Sequence, residues 1–333
     1  MNIAVVGSGG WGTALALVLL ENGHQVTLWS FAEQEADVLR TQRENPLLQG
    51  VPLPDGLQIT TDISCVSGKE LVVFATPSFA VRQTAQKAAP YLQNGTLIVS
   101  VSKGIEKGTS LRLSQVIDEE TDHRCRLVAL SGPSHAEEVG RKVPTGCVAA
   151  SVDRAAAETV QDVFMNERFR VYSSPDIVGV ELAAALKNVI ALCYGVCDGL
   201  GYGDNTRALL MTRGLTETAR LGVAMGGKKE TFAGLAGVGD LIVTCTSMHS
   251  RNHRAGIMIG KGLSVEQTLR EVGGVVEGYY ATDTVRTLAA KYGIEMPISE
   301  GAYQVLYQQR KPQDVLAELM CREKKHEIED ASW

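Results

Sequence analysis

The chain has 333 residues, 44 % of them hydrophobic and 21 % charged, with a formal net charge of −6. That length exceeds what one hydrophobic core ordinarily serves, so two globular domains are expected, and an acidic balance with no basic stripe excludes a nucleic-acid surface. Seven scattered cysteines without a CxxC pair fit a reducing cytoplasm, the N-terminus lacks a charged leader, and no apolar run is expected to reach the ~18–20 residues of a membrane span.

The first predicted element is a strand, Ile3–Val6, running into Gly7-x-Gly9-x-x-Gly12 and then a helix over Trp11–Glu21, with a second strand at Gln25–Trp29. In that setting the glycines form a dinucleotide-binding fingerprint. Gly7 permits a tight turn, Gly9 lets the backbone approach a pyrophosphate, and Gly12 lets the helix pack close to the strand. The helix then offers its positive N-terminus to the phosphate charge. A cofactor with a free ribose 2′-hydroxyl ordinarily meets an Asp or Glu about 20 residues further on. Here the strand ends Trp29-Ser30-Phe31 and the first acid is Glu33, so the sequence predicts no repulsion of a 2′-phosphate. NADPH is therefore expected to be favoured, with NADH accepted.

Further strands are predicted at Leu71–Ala75, Thr96–Ser100, Leu127–Leu130, Gly146–Ala150 and Phe169–Tyr172, with helices at Glu33–Arg43, Phe79–Ala89 and Leu111–Thr121 among them. This alternation implies a doubly wound, mostly parallel sheet whose strand ends bind ligand. Three such ends carry chemistry-capable turns: Thr76-Pro77-Ser78, Ser102-Lys103-Gly104 and Ser131-Gly132-Pro133-Ser134. After Pro175 only helical periodicity is read. The expected architecture is an α/β, Rossmann-like domain over residues 1–178 followed by an all-α domain over 179–333, with the site in the cleft between them. The charged stretch 322–330 reads as a solvated end or a frayed helix.

The segment Val178–Cys197 is a long apolar helix interrupted by Glu181 and by Lys187-Asn188. Such a lysine either snorkels to the surface or sits partly desolvated, where burial makes its ammonium a better acid; Asn188 is placed to bond a substrate hydroxyl. Glycines 234, 237 and 239 lead into Asp240, which is either a helix N-cap or the orienting partner of Lys187, with Thr244 one turn later on the same face. Ser250-Arg251-Asn252 opens another helix, either a solvated basic start or a phosphate site made by the helix end and the Arg251 fork. His249 and His253 stand one turn apart without a third ligand, and Cys193 and Cys197 read as buried thiols, so no metal is expected. Val275-Val276-Glu277 follows a glycine pair, either a plain connector or a loop closing on a cofactor.

Together these blocks, GSGGWGTALA, SKGIE, SGPSHAEE, VELAAALKNVIAL, GLAGVGDLIVTCTSMHSRNHRAG and VVEGYYAT, resemble the bacterial-type NAD(P)-dependent glycerol-3-phosphate dehydrogenases, in family order from Gly7 to Thr282. The resemblance implies that Gly10 and Trp11 join Gly7, Gly9 and Gly12 at the cofactor, that Phe31 lies near its adenosine end, and that Ala136, Arg251, Val275 and Glu277 also reach it. Lys103 touches cofactor and substrate, and Gly132 and Ser134 contact substrate, Ser134 standing where many relatives carry Thr. Lys187 is the proton donor and acceptor, assisted by Asp240, while Ser250, Arg251 and Asn252 hold the substrate phosphate region. The implied reaction is the reversible reduction of dihydroxyacetone phosphate to sn-glycerol 3-phosphate with NADPH or NADH, supplying the glycerophospholipid backbone, in a cytoplasmic homodimer. A hydroxy-acid dehydrogenase with a helical second domain and a non-catalytic NAD(P) sensor are the competing readings.

Overall fold

A computed structural model describes residues 1–327, so the predicted tail of 322–330 lies partly outside the described residues. Eight strands, β1 Asn2–Val6, β2 Gln25–Trp29, β3 Gln58–Thr60, β4 Leu71–Phe74, β5 Leu97–Ser100, β6 Arg126–Ser131, β7 Thr145–Ala150 and β8 Phe169–Ser174, form one sheet in the order β3-β2-β1-β4-β5-β6-β7-β8. Every pairing is parallel except β6 with β7. Six helices, α1 Gly10–Glu21, α2 Glu33–Gln42, α3 Val81–Ala88, α4 Leu113–Glu120, α5 Ala136–Gly140 and α6 Arg154–Phe164, connect the strands.

The central strands β1, β4 and β5 are nearly continuous apolar runs because both faces of the sheet are covered there. Ile3 and Val5 pack into the cluster that contains Leu15 and Leu19 of α1, while Ala4 and Val6 pack into the opposite cluster with Val81, Ala85 and Ala88 of α3. Each such fully buried Leu or Val contributes about 1.5–3 kcal/mol. The register matches Val6 with both Trp29 and Phe74, so the carboxyl ends of β1, β2 and β4 lie side by side. Strand order reverses between β1 and β4, the kind of switch point at whose strand ends ligands bind.

Strand β3, only three residues long and too short to show a period, is not among the predicted strands, and the predicted helix Phe79–Ala89 is corrected to a 3₁₀ turn, Ser78–Ala80, followed by α3.

Among the described residues nine helices follow β8: α7 Ile177–Gly199, α8 Asp204–Ala224, α9 Lys229–Phe232, α10 Asp240–Thr246, α11 Arg251–Gly260, α12 Val265–Glu271, α13 Glu277–Tyr292, α14 Pro297–Gln308 and α15 Pro312–Met320. Helix α7 is the axis of this half. It is also long and apolar enough to cross a membrane, contrary to the expectation that no run would be. However, 89 % of its apolar window is buried inside the protein. Its hydrophobicity is that of a core helix wrapped by others.

Helices α7 and α11 meet along facing glycines, Gly195 and Gly199 on one, Gly256 and Gly260 on the other. A Cβ on Gly195 would lie 2.1 Å from the His253 carbonyl oxygen, and one on Gly256 would lie 2.1 Å from that of Leu192. Only glycine permits this backbone-to-backbone approach, and it sets the start of α11 beside the middle of α7.

Candidate active site

The glycine loop between β1 and α1 has the strained geometry its sequence requires. Gly7 has φ +125°, and a Cβ on Gly12 would sit 2.0 Å from the Gly7 carbonyl oxygen. A Cβ on Gly9 would meet nothing within 4 Å, so the loop backbone faces open space. Gly9 starts α1 with no side-chain cap, leaving the first N–H groups of the helix available. Beside this cradle, the buried Thr76 hydroxyl and Trp11 indole N–H have no hydrogen-bond partner. Open space, free helix-end donors and orphaned polar groups all fit a bound dinucleotide pyrophosphate. Gly10 and Ala136 lie at the edge of the same loop, where a Gly10 Cβ would come 3.6 Å from that of Ala136.

Lys187, Asp240 and Lys103 converge at the ends of β5 and β6. Lys187 is 5 % exposed, which decides against a snorkelling side chain. Its Nζ donates to Asp240 Oδ1 at 2.5 Å and to the Thr244 hydroxyl at 2.5 Å. Lys103 Nζ donates to Asp240 Oδ2 at 2.7 Å and to the Gly132 carbonyl at 3.2 Å. One buried carboxylate therefore bridges two ammonium groups, one from each half of the chain. Asp240 reaches this place because a single π-turn, Leu235–Gly239, precedes α10 and rotates its first residue inward.

Burial lowers the Lys187 pKa to about 8, with Lys103 adding to the effect and Asp240 opposing it. Burial pushes the Asp240 carboxyl up, but the charges of Lys103 and Lys187 outweigh this and hold it below its ordinary value. Ser134 Oγ donates to the Gly132 carbonyl at 3.0 Å, so that turn closes on itself beside Lys103.

A second group forms where α7, α11 and α13 meet. Asn252 donates through Nδ2 to Asn188 Oδ1 at 2.9 Å and accepts from the Gly278 N–H at 2.8 Å. The Asn188 carbonyl, expected to meet substrate, is thus engaged by Asn252. Ser250 caps α11, accepting from the His253 N–H at 3.2 Å, so the helix starts at Arg251. His253 in turn pairs with Asp198 at 2.8 Å. The exposed Arg251 lies against Gly274, whose added Cβ would be 2.7 Å from a guanidinium nitrogen. After Val275, Glu277 opens α13 and accepts from the Ser78 hydroxyl at 2.8 and 3.0 Å. Burial raises the Glu277 pKa.

Two partners were not anticipated. Ser78 lies in a turn singled out for its chemistry, but its link to Glu277 spans 199 residues and leaves no local signal. Ser30 Oγ accepts from Ser8 Oγ at 2.8 Å and donates to Glu35 Oε2 at 3.2 Å. A carboxylate thus stands at the end of β2 after all. Phe31 is 70 % exposed and packs edge-on to Trp29, away from the Lys187 group.

The N- and C-terminal models of the NAD-dependent glycerol-3-phosphate dehydrogenases match residues 2–157 and 176–317. The glycerol-3-phosphate dehydrogenase [NAD(P)+] of Desulfitobacterium hafniense is 55 % identical over 99 % of this chain and 94 % of its own length. This chain belongs to the NAD-dependent glycerol-3-phosphate dehydrogenase family. The Moorella thermoacetica enzyme of the same name is also 55 % identical, over 100 % of this chain and 99 % of its own. The crystal structure of the Coxiella burnetii glycerol-3-phosphate dehydrogenase superposes with a TM-score of 0.92 at 38 % identity, covering 96 % of this chain and 99 % of that one. Family membership and the Rossmann-plus-helical architecture agree with the sequence reading.

Proposed function

We infer that this chain is an NAD(P)-dependent oxidoreductase that reversibly reduces dihydroxyacetone phosphate to sn-glycerol 3-phosphate, the precursor of the glycerophospholipid backbone. The observation that carries this reading is the buried Lys187–Asp240–Lys103 bridge at the carboxyl edge of a dinucleotide-binding sheet. NADH or NADPH, held by the Gly7–Gly12 loop and the start of α1, supplies the hydride when bound. Lys187 gives its proton to the carbonyl oxygen as that oxygen gains negative charge, and Lys103 stabilises the same charge. Asp240 keeps both ammonium groups aimed and makes their burial affordable, with Thr244 fixing the Lys187 head. The start of α11 and Arg251 take the substrate phosphate, which fixes orientation far from the reacting carbon. Ser250 and Asn252 shape that helix end, Asn188 holds it through Asn252, and Gly132 and Ser134 form the wall beside Lys103. Val275 and Glu277 complete the cofactor side, with Glu277 tying the helical half to the Ser78 turn.

The pH dependence of the initial rates tests the role of Lys187. In ketone reduction the ammonium form is required, so kcat/KM is expected to fall as pH rises through about 8. In glycerol 3-phosphate oxidation the neutral amine is required, so kcat/KM is expected to rise through the same region. Two profiles that bend in the same direction would refute the assignment.

We take residues 1–178 as the cofactor-binding half and 179–333 as the catalytic half, a division supported by the last strand ending at Ser174. Cytoplasmic residence is supported by seven free thiols, none in a disulfide. The chain is taken to act as a homodimer through its helical half, where Leu209 and Val223 stand exposed on α8, and sedimentation as a monomer would exclude this.

A further inference from the structure

We propose that Glu35 is the coenzyme-selecting residue of this chain, accepting the adenosine ribose 2′-hydroxyl of NADH and disfavouring, without excluding, the 2′-phosphate of NADPH. The proposal rests on the dinucleotide-binding reading above, and it reverses the preference expected from the sequence. At the end of the second strand of such sheets an acid commonly binds the ribose. Ser30 occupies that place, fully buried and too short to do so.

The structure replaces the missing acid with a relay. Ser8, between the first two glycines of the cofactor loop, donates to Ser30 at 2.8 Å, and Ser30 donates to the Glu35 carboxylate at 3.2 Å. This chain runs in one direction, so Glu35 is its terminal acceptor. A carboxylate accepts about four hydrogen bonds, which leaves free acceptor positions at the rim of the crevice. A ribose hydroxyl donates into them. A 2′-phosphate brings about two further negative charges to the same position and has no proton to spare at neutral pH.

The arginines that could offset this repulsion are already committed. Arg40 is paired with Glu33 at 2.6 Å and Asp37 at 2.9 Å, and Arg43 donates to the carbonyls of Leu53, Pro54 and Leu57. Lys87 lies with its Nζ 5.3 Å from the centroid of the Phe31 ring and is the cation a 2′-phosphate would have to recruit.

The test is direct titration of purified protein with NADH and with NADPH in the absence of substrate, followed by cofactor fluorescence or calorimetry. The unmodified protein is expected to bind NADH at least about tenfold more tightly than NADPH. Glu35 is exposed, so Glu35→Gln keeps the fold, and it is expected to narrow that gap mainly through tighter NADPH binding. Lys87→Met is expected to leave the preference in place. Tighter binding of NADPH than NADH by the unmodified protein would overturn the proposal. So would an unchanged ratio in Glu35→Gln, or a loss of NADPH binding specific to Lys87→Met. Failure to bind either cofactor would instead overturn the dinucleotide-binding reading itself.

Discussion

Replacing Lys187 with alanine is expected to lower kcat by about 10²–10⁴-fold, the usual weight of a positioned general acid. Affinity for the reduced cofactor is expected to stay within a few-fold of the original, because the glycine loop and α1 lie on the other half of the chain. The amine is buried, it is held by Asp240 and Thr244, and it is pressed by burial to a pKa of about 8, where it can both give and take a proton near neutrality. Arginine at this position would keep a charge but not the acidity, since a guanidinium does not release its proton in this range. Lys187→Arg should therefore be nearly as inactive as Lys187→Ala. Full activity in either variant, measured by steady-state kinetics with cofactor titration alongside, would remove Lys187 from the proton-transfer step.

The second large effect is expected at Asp240. Its side chain is 1 % exposed and bridges two lysines, so Asp240→Asn keeps the shape and removes the negative charge that lies between them. Leaving a buried ammonium without its counter-charge costs about 3–5 kcal/mol. The activity loss should be of the order of 10²-fold or more, because the Lys187 pKa falls further and less of the ammonium form remains at neutral pH. The stability loss carries its own pH signature. In the variant the native Lys187 sheds its proton well below the 10.5 of an unperturbed lysine, so the unfolded chain binds more protons than the folded one over that interval. Stability relative to the unmodified protein should therefore recover as pH rises from about 7 toward 9. Thermal melts across that range would show the gap between the two melting temperatures closing. A gap that stays constant or widens would show that Asp240 does not serve as the counter-charge.

The glycine loop was legible because it is local, a strand, three glycines at fixed spacing and a helix forming one continuous unit, and the doubly wound class was legible in the alternation of strands and helices. Lys187 was visible only as a charge in an apolar helix, a pattern that a surface lysine shares. Its partner is 53 residues away and arrives through a π-turn that no spacing rule anticipates. The glycines 195, 199, 256 and 260 are visible in the sequence as two four-residue intervals, but that they face each other is a tertiary fact. Glu35 carries no strand-end signal because it lies within α2 rather than at the end of β2. The first turn of α2 folds back and returns the carboxylate to Ser30, five residues earlier. The Ser78–Glu277 bond joins the two halves of the chain and has no counterpart in any local pattern.

The central claim is that the Lys187–Asp240–Lys103 bridge and the Arg251 helix start together serve a phosphorylated ketone. Initial rates of NADH and NADPH oxidation, measured with dihydroxyacetone phosphate, with unphosphorylated dihydroxyacetone and with a panel of 2-keto acids, test it most directly. Rapid turnover is expected with dihydroxyacetone phosphate, with a loss of several orders of magnitude in kcat/KM without the phosphate and no turnover on keto acids. Preferred turnover of a keto acid, or equal turnover of the two dihydroxyacetones, would contradict it.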